Sequence, residues 1–219
     1  MAKDFKAEIM CDQCRRFDCW KGYPEEVPDF CLSKGFKGAL EEAREGYHTP
    51  GNAEVYLAAS RIIKEGYGRW TRLEEVIEFA RELGIRKIGM AICLALNREG
   101  RAVAELIRGA GFDVFSTLCK VGGLGQRECG VSEEYVFGTY PTACNPITQA
   151  KILNSFGTEL NIIIGLCLGH DILFTKHSRA PVTTLIVKDR VTGNNPEAAL
   201  SSFVHRRRLW KKYCGKEVY

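Results

Sequence analysis

The sequence predicts an α/β fold, in which a mostly parallel, open sheet has helices on both faces and a small cysteine-rich knuckle precedes it. Short apolar runs, typical of strands buried on both faces, alternate with segments of helical periodicity. Roughly the first 35 residues show neither period and hold four cysteines instead. We therefore expect a Rossmann-like domain over residues 51–219, preceded by a metal-binding segment and connector over residues 1–50.

Local signals predict the individual elements. Residues 52–64 place an apolar stripe on one face of a helix, and Thr71 opens the next helix as a capping box with Glu74. Asn145 followed by Pro146 is typical of a helix N-terminus. The predicted strands are residues 87–94, 112–119, 159–167 and 181–188. The remaining predicted helices are residues 39–45, 97–109 and 171–177, with one more opened by Asn195-Pro196.

Composition excludes several classes of protein. Apolar residues make up 45% of the 219 residues, which is enough for a hydrophobic core. No apolar segment resembles a signal peptide, and the longest apolar stretch, residues 160–168, is far shorter than the ~20 residues that span a bilayer. The net charge of +4 is mild and disfavours nucleic acid as a partner. We expect a cytoplasmic protein with no membrane contact.

Four of the ten cysteines lie close together near the N-terminus. Cys11, Cys14, Cys19 and Cys31 follow the spacing Cys-x2-Cys-x4-Cys-x11-Cys. Four thiolates at this spacing can close a tetrahedral shell around zinc, and the same shell suits an iron–sulfur cluster. We prefer zinc at this site, and the alternative is that these cysteines are free thiols.

A second set of cysteines follows the predicted strands. Cys93, Cys119 and Cys167 lie at the predicted carboxyl ends of three strands, and Cys144 precedes the helix that Pro146 begins. In an open parallel sheet these ends share one edge, where ligands bind. The set therefore predicts a cofactor site, either an iron–sulfur cluster or a soft metal. The alternative is that Cys93 and Cys167 are ordinary buried residues.

Two further residues are candidates for catalysis. His170 follows Cys167 and could act as a ligand or a general acid, or could only orient its loop. Lys120 follows Cys119 and could meet an anionic substrate, although a lysine after a strand is more often only solvated. Cys129 is a spare candidate ligand in a loop, and the basic run at residues 206–208 is either a phosphate contact or a solvated face.

Several short motifs run in the same order as in a known bacterial family. They are Gly66-Tyr67, residues 71–75, Phe79-Ala80, residues 88–93, 119–122, 144–147, 165–171, 180–182 and 188–190, and Asn195-Pro196. The chain resembles a family of uncharacterised, predicted metal-binding proteins that is common in anaerobes and is classed as a domain of unknown function. This resemblance implies metal binding and no particular substrate or reaction. The loop that contains Gly122–Gly125 and Cys129 departs from the family pattern.

These observations favour a cysteine-ligated metal protein, with zinc or iron–sulfur at the N-terminus and a second centre for redox or Lewis-acid chemistry at the strand ends. A non-catalytic metal or redox sensor, or a metal carrier, would use the same ligands. A zinc-knuckle nucleic-acid-binding protein is the weaker alternative. The partner would be a small molecule or a redox partner, and the sequence is compatible with an oligomer. Catalysis itself is not decided by these patterns.

Overall fold

The computed structural model describes residues 10–22 and 27–217. The chain divides into two compact units, residues 1–65 and residues 66–219. The described part of the first unit begins with two single turns of 3-10 helix, Cys11–Gln13 and Asp18–Lys21. The helices that follow are α1 (Leu32–Gly35), α2 (Lys37–Gly46) and α3 (Asn52–Gly66). The predicted segment 1–50 falls within this unit, and its role as a separate domain stays a prediction.

The second unit alternates strands and helices. Its helix α4 (Arg72–Glu82) begins at the predicted capping box, in which Thr71 and Glu74 bond reciprocally. The later elements are β1 (Lys87–Ile92), α5 (Asn97–Gly109), β2 (Asp113–Leu118), α6 (Pro146–Phe156), β3 (Leu160–Ile164), α7 (His170–His177), β4 (Val182–Ile186), α8 (Ala198–Ser201) and α9 (Phe203–Cys214). The α/β prediction is confirmed.

All four strands pair in parallel, in the order β2-β1-β3-β4. The chain moves from β1 outward to β2 and then returns across β1 to reach β3. This reversal creates a topological switch point between β1 and β3, which is the position where open α/β sheets bind ligands outside the carboxyl ends of their strands.

Helices cover both faces of the sheet, as predicted. On one face, Val76 of α4 and Ile107 of α5 pack against Met90 of β1. On the other face, Leu153 of α6 and Phe174 of α7 pack with Ile163 of β3. Because side chains alternate along a strand, residues of β1 contribute to both cores, which explains its continuous apolar sequence. Among the described residues, no helix combines the length and apolar character needed to cross a membrane.

Two predicted element boundaries were wrong by about three residues. The third strand ends at Ile164 rather than at residue 167, because Gly165 adopts φ +60° and turns the chain out of the sheet. Cys167 therefore lies three residues beyond the strand, in a loop. The last predicted helix does not begin at Asn195-Pro196, since those residues form turns and α8 begins at Ala198.

Gly89 in β1 illustrates how tightly the strands pack against buried polar groups. A Cβ at Gly89 would lie 1.9 Å from Oδ1 of Asn161. Asn161 is fully buried, and its Oδ1 accepts a hydrogen bond of 2.9 Å from Thr158. Its Nδ2 donates to Ser178 at 2.8 Å. Only glycine at this position leaves these bonds intact.

Gly89→Ala should therefore lower the free energy of unfolding by about 2–4 kcal/mol, through overpacking and the loss of buried hydrogen bonds. Urea denaturation followed by circular dichroism measures this change. Gly109→Ala is the matched control, because a Cβ at the end of α5 meets nothing within 4 Å. Similar losses in the two variants would contradict the prediction.

Candidate functional site

Backbone hydrogen bonds bring three cysteines together at the carboxyl edge of the sheet. Cys93 follows β1, and its N–H donates to the carbonyl of Ile164 at 3.0 Å. Cys119 follows β2, and its N–H donates to Ile92 at 2.8 Å. Cys144 lies one residue before the N-cap of α6. The N–H of the next residue donates to the carbonyl of Cys119 at 2.7 Å, which ties the start of α6 to the end of β2.

The three thiols and a histidine lie close enough to shift one another's pKa values. The Cys119 thiol interacts with both Cys93 and Cys144, and Cys144 also interacts with His170. The Leu94 N–H donates to Sγ of Cys119 at 3.3 Å. Cys93 and Cys119 are buried, whereas Cys144 and His170 are half-buried. We call Cys93, Cys119, Cys144 and His170 the thiol centre.

Electrostatics within the thiol centre favour a thiolate at Cys144. Hydrogen bonds from Cys119 and His170 hold the pKa of Cys144 well below its ordinary value. The bond to Cys144 in turn raises the pKa of His170, despite its partial burial. Cys119 carries a single proton, so it can donate to only one neighbour at a time, and its own pKa is raised.

Cys93 has its own cationic neighbour. The hydrogen bond from Cys119 lowers the pKa of Cys93, and the backbone N–H of Ala95 and the ammonium group of Lys188 lower it further. Lys188 follows β4 and also lies near the switch point, since a Cβ on Gly165 would meet its Cε at 3.4 Å. The ammonium group of Lys188 therefore lies near Cys93, and His170, whose pKa is raised, lies near Cys144 at the other end of the thiol centre.

Cys167 lies close by but has a different partner. Its Sγ is 3.0 Å from Nη2 of Arg190, which donates a hydrogen bond to it. The Cys167 thiol and, to a smaller extent, Cys93 and Cys144 raise the pKa of Arg190. The Cys167 carbonyl accepts the N–H of His170 at 2.9 Å. The loop after β3 therefore positions the histidine while directing its own sulfur toward the guanidinium.

Two buried polar residues hold α6 against the strand ends. The Asn145 side chain caps the helix by accepting the N–H of Thr148 at 3.2 Å, and it donates to the carbonyl of Val121 at 3.2 Å. Gln149 is fully buried and donates to the carbonyl of Thr117 at 2.9 Å. The capping role of Asn145 was predicted from sequence. The contact between Gln149 and the strand was not predicted, because a glutamine within a helix carries no local signal of burial.

Of the other candidate residues, Lys120 lies beside the thiol centre, whereas Cys129 and Cys214 are exposed elsewhere. Lys120 is half-buried and donates from Nζ to the carbonyl of Thr142 at 2.7 Å, and its charge acts on Cys144 and His170. Cys129 is exposed in the loop that follows, and Cys214 is exposed at the end of α9. Lys188 and Arg190 were noted only as part of a motif. Their role emerges only when β4 is placed beside β3.

The N-terminal cysteines lie on successive short turns of the first unit. Cys11 and Cys19 are exposed, Cys14 is half-buried, and Cys31 is the residue before α1. Backbone N–H groups of Phe17 and Arg16 bond to the Cys14 sulfur and lower its pKa. The turn is closed by Phe17, which adopts φ +53°. A sulfur that accepts two backbone N–H bonds is suited to remain a thiolate.

Residues 10–22 and 27–217 contain no group of three or more His, Cys, Asp or Glu side chains that could hold a metal ion as it stands. In the thiol centre, Cys119 interacts with Cys93 on one side and with Cys144 on the other. The sulfur of Cys167 accepts a hydrogen bond from Arg190 instead. The assignments of both cysteine sets as ligands therefore stay predictions.

These features define an α/β protein with clustered thiols at the switch point of a parallel sheet. The chain belongs to the family described as Protein of unknown function (DUF1847), which matches residues 31–185. It is also 38% identical over 208 residues to the Uncharacterized protein MJ0455 of Methanocaldococcus jannaschii, and the match covers 92% of this chain and 98% of that protein. The expected membership in an uncharacterised family is confirmed. The matched range of the family includes the whole thiol centre and Cys167.

The acidity of Cys144 can be measured in metal-free protein. With a pKa of about 4, its thiolate should persist as the pH falls from about 8.5, the ordinary thiol value, to near 4. Alkylation by iodoacetamide, followed by peptide mass spectrometry, should therefore be nearly independent of pH across this window. His170→Asn removes a hydrogen bond and positive charge, so the profile should shift upward by about one unit or more.

His177→Asn, at the other end of α7, is the matched control and should leave the profile of Cys144 unchanged. A Cys144 that reacts only near the ordinary thiol pKa in the parent protein would contradict this description of the thiol centre.

Proposed function

We propose that this chain is a metal-binding protein whose cysteine thiolates hold an iron–sulfur cluster or a soft metal such as zinc at the carboxyl edge of the sheet. The observation that carries the proposal is the clustering of Cys93, Cys119 and Cys144 at this edge, where backbone hydrogen bonds bring the three residues together and their thiols shift one another's pKa values. Protons shared among clustered thiols are the protons that a metal displaces when it binds. Thiolate sulfur is the donor that iron–sulfur clusters and zinc prefer.

Cys167 is the fourth ligand that we assign. Its sulfur now accepts from Arg190, so it would exchange the guanidinium for the metal when the site is loaded. If it keeps Arg190, three thiolates remain and leave one coordination position open, as in catalytic sites. Either arrangement uses only side chains from the loops that follow the strands and from the start of α6.

The surroundings of the sulfurs support this assignment. Lys188, Arg190 and His170 bring positive charge to the thiols, which offsets the negative charge of a thiolate-ligated cluster. Backbone N–H groups of Leu94 and Ala95 point at the sulfurs of Cys119 and Cys93. Such N–H···S bonds and nearby charges are among the features that set the reduction potential of protein clusters.

A bound cluster or metal would supply redox or Lewis-acid chemistry to a small polar substrate. His170 would hold or deliver a proton at the thiol centre, because its raised pKa keeps the imidazole protonated to a higher pH than in an ordinary histidine. Lys120 would attract an anionic group of the substrate, although its Nζ is held by the carbonyl of Thr142. Both residues reach the centre from loops beside it.

The N-terminal cysteines are proposed to hold a second, structural metal, with zinc preferred. Of residues 10–22, none is buried, so this stretch gains little from a hydrophobic core. The bonds from Phe17 and Arg16 to Cys14 are the local support for this proposal. All ten cysteines are free, which is typical of a reducing compartment and favours a cytoplasmic location.

The metal content of protein purified without oxygen tests the strand-end site. We expect iron with acid-labile sulfide and a brown colour for a cluster, or a colourless protein with zinc for a single metal. A Cys93→Ser/Cys119→Ser double variant should lose the metal of this site. Cys129→Ser is the control, since Cys129 is exposed in a loop. Equal metal and sulfide in the double variant and the control would refute the assignment.

Cys14→Ser tests the N-terminal site separately. It should remove the structural metal and make residues 10–31 sensitive to limited proteolysis, while the urea midpoint of the sheet domain stays unchanged. Cys214→Ser, a substitution of an exposed cysteine at the end of α9, is the control. An N-terminal segment that resists protease equally in both variants would rule out a metal-dependent fold there.

A further inference from the structure

A second feature beside the thiol centre has a different chemistry. A cleft of about 980 Å³ lies along the outer edge of β2, between α5 and one residue of α6. Its volume is at the upper end of the range found for small-molecule sites. The strand contributes Ser116, Thr117 and Leu118, and the chain continues along the cleft to Lys120.

One face of α5 supplies the charged side chains of the cleft. Arg101, Glu105 and Arg108 lie three or four residues apart, so they share one stripe of the helix. Neither arginine forms an ion pair with any residue of the described chain, although Glu105 lies between them in sequence. With Lys120, the cleft has three positive groups and one negative group, and thus attracts anions.

The free edge of β2 adds backbone donors. The N–H groups of Asp113 and Cys119 donate toward β1, at 2.9 and 2.8 Å. Since the N–H groups of successive residues in a strand point to opposite sides, those of Ser116 and Leu118 point away from β1, toward the cleft. Guanidinium groups and backbone N–H groups are the donors that hold carboxylate and phosphate oxygens.

The positions of the two arginines indicate an elongated ligand. Arg108 follows Arg101 by seven positions, which is about 10 Å along the helix axis. Arg101 lies nearer the start of α5, at the same edge of the sheet as the thiol centre. Lys120 lines the cleft, and its charge also acts on Cys144 and His170. One end of a ligand in the cleft would therefore lie next to the thiol centre.

We propose that the cleft binds a small molecule with two separated oxyanion groups, carboxylate or phosphate, and that this molecule is the substrate of the thiol centre. Arg101 and Lys120 contact the group nearest the thiols, and Arg108 contacts the distant group. The assignment as substrate rests on the proposed function, whereas the binding site itself rests only on the cleft.

Isothermal titration calorimetry at low ionic strength tests the binding site, with suberate and hexane-1,6-diol bisphosphate as separate probes, because each carries two oxyanion groups at the ends of a six-carbon chain. Binding of suberate identifies a dicarboxylate site, and binding of the bisphosphate identifies a phosphate site. Arg101→Gln and Arg108→Gln should each lower the affinity for the probe by about tenfold, because each variant loses one charged hydrogen bond. Arg98→Gln is the matched control, because Arg98 is exposed on the same helix outside the cleft.

Failure of both probes to bind would overturn the proposal. An equal loss of affinity in Arg98→Gln would also overturn it, because the probe would then be attracted only to the general positive charge of the helix. The same probes should bind with unchanged affinity after metal is removed by a chelator, so a failure of the metal proposal would not affect this result.

Alkylation of the metal-free protein tests the link to the thiol centre. A saturating probe should slow the modification of Cys144 by iodoacetamide at least threefold and leave the exposed Cys129 unchanged. Binding without protection of Cys144 would overturn the assignment as substrate and leave an anion site separate from the thiols. Measured metal content decides the proposed function independently of both assays.

Discussion

Parallel pairing of β1 with a strand on each side determines where the residues of the thiol centre lie. The register matches Ile92 with Leu118 on one side and with Ile164 on the other. The chain therefore leaves all three strands at the same level, and the loops that follow begin next to one another. The strand order reverses at β1, so no helix crossover covers the space above it. A shift of β1 by one residue in this register would turn Cys93 to the face of the sheet opposite Cys119.

Buried polar contacts then convert this edge into a site of defined geometry. Gln149 and Asn145 join α6 to the ends of β1 and β2, so the sulfur of Cys144 is held beside that of Cys119. Loss of the Asn145 cap alone would lower the stability of the protein by about 1 kcal/mol. Structural polar residues in the core thus position the reactive ones at its edge.

The accuracy of the sequence-based predictions follows the range of the interactions involved. Helix α4, with its capping box, and the N-cap of α6 depend on neighbouring residues, and both were predicted. Strand polarity alone was enough to place Cys93 and Cys119 at one edge of the sheet, and the predicted start of α6 added Cys144. The exact end of β3 depended on the backbone of Gly165, and the pairing of Cys167 with Arg190 depended on β4 lying beside β3. Contacts between distant segments leave no local pattern in the chain.

The two cysteine sets would relate to folding in opposite ways. Cys93 and Cys119 extend strands that are already paired, so a metal there would bind to a scaffold whose stability comes from two apolar cores. Residues 10–22 contain no buried side chain, so a metal held by Cys11, Cys14 and Cys19 would contribute folding free energy directly. Exchange or oxidation of metal at the strand ends would then leave the fold intact, which a redox or Lewis-acid centre requires. A structural metal at the N-terminus would have no such freedom, because its loss would also be the loss of the local structure.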